Sequence, residues 1–116
     1  MTKAIIYHNP RCSKSRETLA LLEQKGCEIT VIEYLKNVPN AETLSDILSK
    51  LQRQPRELMR TKEAEYEALG LEDMTLTTAQ LIDAMVATPK LIERPIVLAN
   101  NQAAIGRPPE SVLAIL

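Results

Sequence analysis

The sequence contains no phenylalanine, no tryptophan and only three tyrosines among its 116 residues. Its core must therefore be built mainly from aliphatic side chains, and the aromatic platforms on which single-stranded nucleic acid stacks are nearly absent. The 14 lysines and arginines are balanced by 15 acidic residues. Nucleic-acid-binding domains carry a basic surplus, so this balance argues against a nucleic-acid partner. A site for a small anion needs only a few arginines.

Metal-binding side chains are also scarce, with two cysteines and one histidine. Because a structural zinc site takes four ligands, mostly Cys and His, we expect no metal site. We also expect no bound cofactor. No apolar segment approaches the roughly 20 residues of a membrane span, and no signal-peptide pattern opens the chain. We therefore expect one cytoplasmic domain over residues 1–116, without a membrane partner.

The first third of the chain predicts a strand, a helix and a second strand. Lys3–His8 is short and apolar on both faces, which is typical of a strand covered on both sides. Ser13–Lys25 carries leucines at helical spacing, and Gly26 is favoured just after a helix end. Glu28–Leu35 alternates in the manner of a strand. Short links between these elements favour a βαβ unit with two parallel strands.

A helical segment is predicted to follow. Asn40 is a favoured N-cap residue, and it precedes an apolar stripe formed by Leu44, Ile47, Leu48 and Leu51. Pro55 is placed to begin a further short helix. Thr77 and Gln80 form the sequence signature of a capping box, which predicts another helix that ends before Pro89.

The last segment predicts two strands and a helix. Pro95–Ala99 and Ala103–Gly106 are apolar and flank Asn100-Asn101, a pair that suits a two-residue hairpin turn because asparagine tolerates positive φ. Pro108 and the residues after it favour the start of a final helix. The complete order is βαβ, a helical segment and ββα, which predicts an α/β fold with a mixed sheet.

Cys12 is the first candidate for chemistry. It lies between a predicted strand and a predicted helix, where N-terminal N–H groups of the helix stabilise an anion. Arg11, Lys14 and Arg16 surround it in sequence, and positive charge favours thiolate over thiol. We therefore expect a reactive thiolate, with a pKa below the usual thiol value, rather than a buried apolar residue. The Ser15 hydroxyl, one turn into the helix, is placed to reach the sulfur.

Cys27 is expected to be buried without a chemical role. The two cysteines flank opposite ends of a helix of about 20 Å, whereas a disulfide requires Cα atoms within about 7 Å. Ser15 also occupies the second cysteine position of a Cys-x-x-Cys motif. Any disulfide turnover at Cys12 therefore needs an external thiol.

Five motifs are spread over nearly the whole chain. They are Tyr7-His8-Asn9-Pro10-Arg11-Cys12 with Ser15-Arg16, Glu65 with Leu69-Gly70-Leu71, Gln80-Leu81-Ile82-Asp83, Glu93-Arg94-Pro95-Ile96-Val97, and Gly106-Arg107-Pro108. Together they resemble the ArsC family of glutaredoxin-dependent arsenate reductases. The resemblance implies a thioredoxin-like (glutaredoxin-like) three-layer fold, in which a four-stranded mixed sheet has a helical insertion between βαβ and ββα. It also implies that Arg94-Pro95 is the cis peptide bond of that fold.

The same resemblance implies roles for particular residues. Cys12 is implied to be the nucleophile that attacks arsenate. The oxyanion is implied to be held by Arg60, Arg94 and Arg107, and the thiolate to be supported by His8, Ser15 and Arg16. Guanidinium groups form paired hydrogen bonds with tetrahedral oxyanions, which suits this assignment. Glutathione is implied as co-substrate, and glutaredoxin as the partner that reduces the mixed disulfide.

Two alternatives stay open at this point. The first is a thiol transferase or other ArsC-like redox protein with another substrate, which an arsenate assay with glutathione and glutaredoxin distinguishes. The second is a non-enzymatic, Spx-like regulator that binds a protein partner. The Spx regulators usually carry a Cys-x-x-Cys switch, which Ser15 replaces here.

Overall fold

A mixed four-stranded sheet forms the centre of the first of two units in the computed structural model, which describes residues 1–116. This unit comprises Met1–Asn37 and Arg94–Leu116. Its strands are β1 (Lys3–His8), β2 (Glu28–Glu33), β3 (Ile96–Ala99) and β4 (Gln102–Ile105), in the spatial order β2-β1-β3-β4. Strand β1 is parallel to β2 and antiparallel to β3, and β3 is antiparallel to β4. The predicted α/β fold with a mixed four-stranded sheet is confirmed.

Helix α1 (Ser13–Gln24) connects the two parallel strands, as predicted. The chain leaves it through Gly26 at φ +71°, a left-handed conformation that glycine adopts without a Cβ clash. Strand β2 ends at Glu33, two residues before the predicted end, because the N–H groups of Lys36 and Asn37 turn back to the Glu33 carbonyl. The core of this unit is aliphatic and consists of Ala4, Ile6, Leu22, Val97, Ala99, Val112 and Ile115.

The predicted hairpin joins β3 and β4. Asn100 and Asn101 both have positive φ, 52° and 60°, which matches the twist of the flanking strands. The Arg94-Pro95 peptide bond that precedes β3 is cis, as the resemblance implied. Arg107-Pro108, which follows β4, is cis as well, and this second cis bond was not foreseen.

The final segment differs from the predicted α-helix. Pro109–Ile115 forms a 3-10 helix that packs against α1 and β4. Its buried side chains include Val112 and Ile115, which are three residues apart and therefore lie on one face of a 3-10 helix. Apolar residues three positions apart share a face in both α-helices and 3-10 helices, so the sequence pattern did not distinguish the two helix types.

The second unit, Val38–Glu93, is the predicted helical insertion. It contains α2 (Ala41–Leu51), α3 (Ala64–Ala68) and α4 (Thr78–Ala87), together with 3-10 turns at Pro55–Leu58 and Pro89–Leu91. Asn40 caps α2 by accepting the Thr43 N–H at 2.8 Å, and Thr77 and Gln80 form the predicted capping box of α4. None of the helices in the chain has the length and apolar character needed to cross a bilayer.

Candidate active site

Cys12 lies at the N-terminus of α1, where the sequence predicted it. It is the N-cap residue, with an extended backbone, and only 9% of its surface is exposed. Its N–H donates to the Asn9 carbonyl at 3.0 Å, and its own carbonyl accepts the Arg16 N–H at 3.0 Å. These two bonds hold the sulfur over the first turn of the helix.

Two of the predicted arginines approach this sulfur. Arg107 Nη2 lies 3.5 Å from Cys12 Sγ, although the two residues are 95 positions apart in the chain. The side chain of Arg94 is also within hydrogen-bonding reach of the sulfur. The two arginines are joined, because Arg107 Nε donates to the Arg94 carbonyl at 2.7 Å. The structure therefore places two guanidinium groups beside one thiol.

The pKa of Cys12 is lowered, in the direction that the sequence predicted. Burial raises the pKa, but the backbone N–H of Ser15, the Arg94 guanidinium and the backbone N–H of Lys14 together outweigh it. The two N–H groups belong to the first turn of α1, so the helix N-terminus stabilises the thiolate directly.

The cationic side chains next to Cys12 in sequence contribute less to this pKa than expected. Lys14 forms an ion pair with Glu17 at 3.6 Å, and Arg16 Nη1 donates to the Pro10 carbonyl at 2.9 Å. The main cationic contribution comes from Arg94 instead. Neighbours in sequence were a poor guide to the charges that face the sulfur.

His8 and Ser15 form a buried pair behind the thiol. His8 Nδ1 and Ser15 Oγ are 2.6 Å apart, and Ser15 Oγ also accepts the Asn9 N–H at 3.0 Å. Burial lowers the pKa of His8, the Glu33 carboxylate raises it, and the Arg16 guanidinium lowers it. The Ser15 hydroxyl is engaged by the His8 ring and by the Asn9 N–H. The contribution of Ser15 to the thiolate therefore comes from its backbone N–H, rather than from the hydroxyl as predicted.

Tyr34 is a residue of this site that the sequence reasoning missed. It follows the last residue of β2 and is 1% exposed. Its hydroxyl interacts electrostatically with Arg94, Asn9 and Cys12. The sequence could have indicated this role through the position of Tyr34 at the carboxyl end of β2. The parallel strand β1 ends at the same edge of the sheet and leads to Cys12.

Arg60 lies in the second unit, where two carboxylates bind it. Its Nη1 is 2.6 Å from Glu63 Oε1, and its Nε is 3.9 Å from Glu93 Oε1. The implied role of Arg60 in oxyanion binding stays a prediction.

Cys27 lies at the far end of α1 and packs against the core of the first unit, but it is only partly buried rather than buried as expected. Both cysteines are free thiols. The 12 residues of α1 span about 18 Å, well beyond the reach of a disulfide. Nowhere in the chain do three His, Cys, Asp or Glu side chains converge in a way that could hold a metal ion.

A cysteine with a lowered pKa at the N-terminus of the first helix of a thioredoxin-like fold defines the class of this protein. The model of the ArsC family matches residues 7–115. The chain is 57% identical to the uncharacterized protein YfgD of Escherichia coli, over all of this chain and 99% of that one. It is 50% identical to an arsenate reductase of Haemophilus influenzae, over 97% of each chain. The structure of an arsenate reductase from Vibrio cholerae is 52% identical, with a TM-score of 0.97 over 99% of this chain and 98% of that chain. The chain belongs to the ArsC family.

Proposed function

We propose that this protein is an arsenate reductase that uses Cys12 as its nucleophile, with glutathione as co-substrate and glutaredoxin as partner. The observation that carries the proposal is the arrangement at Cys12, where helix N–H groups and Arg94 face the sulfur and Arg107 lies 3.5 Å away. The same cationic groups that favour the thiolate suit a tetrahedral oxyanion beside it. Relatives named arsenate reductase, at 46% and 50% identity, support this substrate.

The proposed reaction begins with attack of the Cys12 thiolate on the arsenic of bound arsenate. An S–As bond forms, and one arsenate oxygen leaves as water after protonation. A glutathione thiolate then attacks the Cys12 sulfur, so the S–As bond breaks and its electron pair stays on arsenic. Arsenic(V) is thereby reduced by two electrons to arsenite, and the two thiols are oxidised to a mixed disulfide.

The arginines bind and orient the oxyanion in this scheme. A guanidinium group presents two parallel N–H donors to two oxygens, and such charge-assisted bonds contribute roughly 1.5–3 kcal/mol each when partly shielded from water. Arg94 and Arg107 take this role, and Arg60 is proposed as a third ligand. His8, Ser15 and Arg16 act on the local structure around Cys12, and the His8–Ser15 pair fixes the first turn of α1.

The chain needs an external reductant for this reaction. Cys27 is separated from Cys12 by the length of α1, and the sequence has no third cysteine. Glutathione supplies both electrons of each turnover, one thiol in the attack on the Cys12 sulfur and a second in the reduction of the mixed disulfide. Glutaredoxin, whose chemistry is the removal of glutathione from protein thiols, catalyses that second step.

A coupled assay tests the proposal. Arsenate, glutathione, glutaredoxin, glutathione reductase and NADPH are mixed with the protein, and arsenate-dependent oxidation of NADPH is measured. We expect activity in the wild type and in Cys27→Ser, and none in Cys12→Ser. Reduction of other glutathione mixed disulfides without any reduction of arsenate would contradict the proposal and favour a thiol transferase.

A further inference from the structure

The hydroxyl of Tyr34 is a buried polar group with no adequate protein partner. The residue is 1% exposed, and its hydroxyl oxygen forms no hydrogen bond that meets normal distance and angle limits. The large majority of buried side-chain polar atoms have such a partner, because leaving one unsatisfied costs free energy. A buried hydroxyl without one is therefore a candidate for ligand binding.

Tyr34 lies at the edge of the sheet that carries the site. Glu33, the residue before it, pairs with His8 in the parallel β1–β2 register, and β1 leads directly into the Cys12 loop. On the other side of β1, antiparallel β3 begins at Ile96, which places Arg94 at the same edge. Tyr34 and Arg94 therefore flank the end of β1 from opposite sides.

The hydroxyl at this position keeps its proton. Burial raises the pKa of Tyr34, while the Arg94 charge and the side chains of Asn9 and Arg94 lower it and do not cancel the increase. The phenol is therefore neutral near pH 7 and has an O–H to donate. The groups that mainly set the pKa of the Cys12 thiol are backbone N–H groups and Arg94, so the thiolate does not depend on this hydroxyl.

We propose that the Tyr34 hydroxyl donates a hydrogen bond to an oxygen of the oxyanion bound at Cys12, as a further binding residue of the site. The inference rests on the oxyanion site proposed above and adds a neutral donor to its guanidinium groups. Each oxygen of a tetrahedral oxyanion can accept more than one hydrogen bond, so the oxyanion can accept a bond from Tyr34 in addition to those from Arg94 and Arg107. Tyr34 is thereby assigned to the recognition of arsenate rather than to activation of the thiol.

The test compares Tyr34→Phe with the wild type and with the matched variant Tyr66→Phe in the second unit. Cys12 is alkylated with iodoacetamide at rising arsenate concentrations and without glutathione, so that no turnover occurs. The arsenate concentration that halves the alkylation rate gives the affinity. We expect this half-protecting arsenate concentration to rise roughly tenfold or more in Tyr34→Phe, which means weaker binding, and to be unchanged in Tyr66→Phe. The alkylation rate without arsenate is expected to be the same in all three proteins.

Thermal unfolding supplies a second measurement. Without arsenate, Tyr34→Phe is expected to be as stable as the wild type or more stable, because no protein hydrogen bond of normal geometry is lost with the hydroxyl. Equal arsenate affinity in Tyr34→Phe and the wild type would overturn the inference and leave the proposed function intact. Weaker affinity accompanied by a loss of stability would also overturn it, since the hydroxyl would then be structural. If arsenate did not protect Cys12 of the wild type from alkylation, both the proposed function and the proposed role of Tyr34 would be overturned.

Discussion

Arg107 donates a hydrogen bond from Nε to the backbone carbonyl of Arg94 at 2.7 Å. The bond leaves the outer nitrogens of the Arg107 guanidinium to face the site, and Nη2 lies 3.5 Å from Cys12 Sγ. The backbone carbonyl of Arg94 thus orients the side chain of Arg107. A lysine at either position keeps the positive charge but cannot form the same bonds, because it lacks the planar fork.

Arg94→Lys and Arg107→Lys are therefore each expected to lower kcat/KM for arsenate by roughly 10- to 100-fold, which corresponds to one or two charge-assisted hydrogen bonds. Steady-state kinetics in the coupled assay measures this effect. Arg53→Lys, on an exposed residue of the second unit, is the matched control and is expected to retain full activity. Unchanged kinetics in both site variants would contradict the assignment of these arginines.

The pKa of Cys12 is expected to rise when Arg94 is replaced. The backbone N–H groups remain in Arg94→Gln, but the guanidinium that also favours the thiolate is lost. The rate of alkylation by iodoacetamide as a function of pH gives the pKa directly. A Cys12 pKa that is the same in Arg94→Gln and in the wild type would mean that the helix N-terminus acts alone.

Protein stability is expected to fall as the pH drops below about 6.5, because of His8. The pKa of His8 is lowered in the folded state, mainly by burial. Below about pH 6.5 the unfolded chain therefore binds more protons than the folded chain, so the free energy of unfolding decreases until the folded pKa is reached. His8 is the only histidine. Urea unfolding from pH 7.5 to 5 is expected to show this decrease in the wild type and a weaker one in His8→Gln. If the free energy of unfolding changed with pH in the same way in both proteins, His8 would not be its cause.

Gly106→Ala is expected to destabilise the fold by about 1–3 kcal/mol through overpacking. A Cβ at position 106 would overlap Thr18 Oγ1 and lie 2.8 Å from Pro95 Cγ. Thr18 is completely buried, and the Gly106 N–H is bonded to the Pro95 carbonyl at 3.0 Å, so the neighbours have little room to move. Thermal unfolding measures the effect. An unchanged midpoint would show that this contact relaxes at no cost.

The sequence was most informative where local chemistry determines conformation. The limits of β1, the caps at Asn40 and Thr77 and the Asn100-Asn101 turn each depend on a few adjacent residues, and all were predicted correctly. Cys12 was recognised for the same reason, because its position at the start of a helix is visible in the sequence.

The rest of the site depends on contacts between distant segments. The Arg94 contribution to the thiolate and the Tyr34 hydroxyl follow from the pairing of β1 with β2 and β3, which no local pattern encodes. The charges of Lys14 and Arg16 were overestimated because closeness in sequence does not say where a side chain points. The implied role of Arg60 came from resemblance alone and stays a prediction.

A single-turnover experiment tests the central claim most directly. The reduced protein is mixed with arsenate and glutathione in the absence of glutaredoxin, then quenched and analysed by peptide mass spectrometry and by arsenite determination. We predict one glutathione per chain, attached to Cys12, with an equal amount of arsenite, and neither product when arsenate is omitted. Cys27→Ser is expected to behave as the wild type. Glutathione on Cys27, a Cys12–Cys27 disulfide, or a Cys12 adduct formed without arsenite would contradict the account.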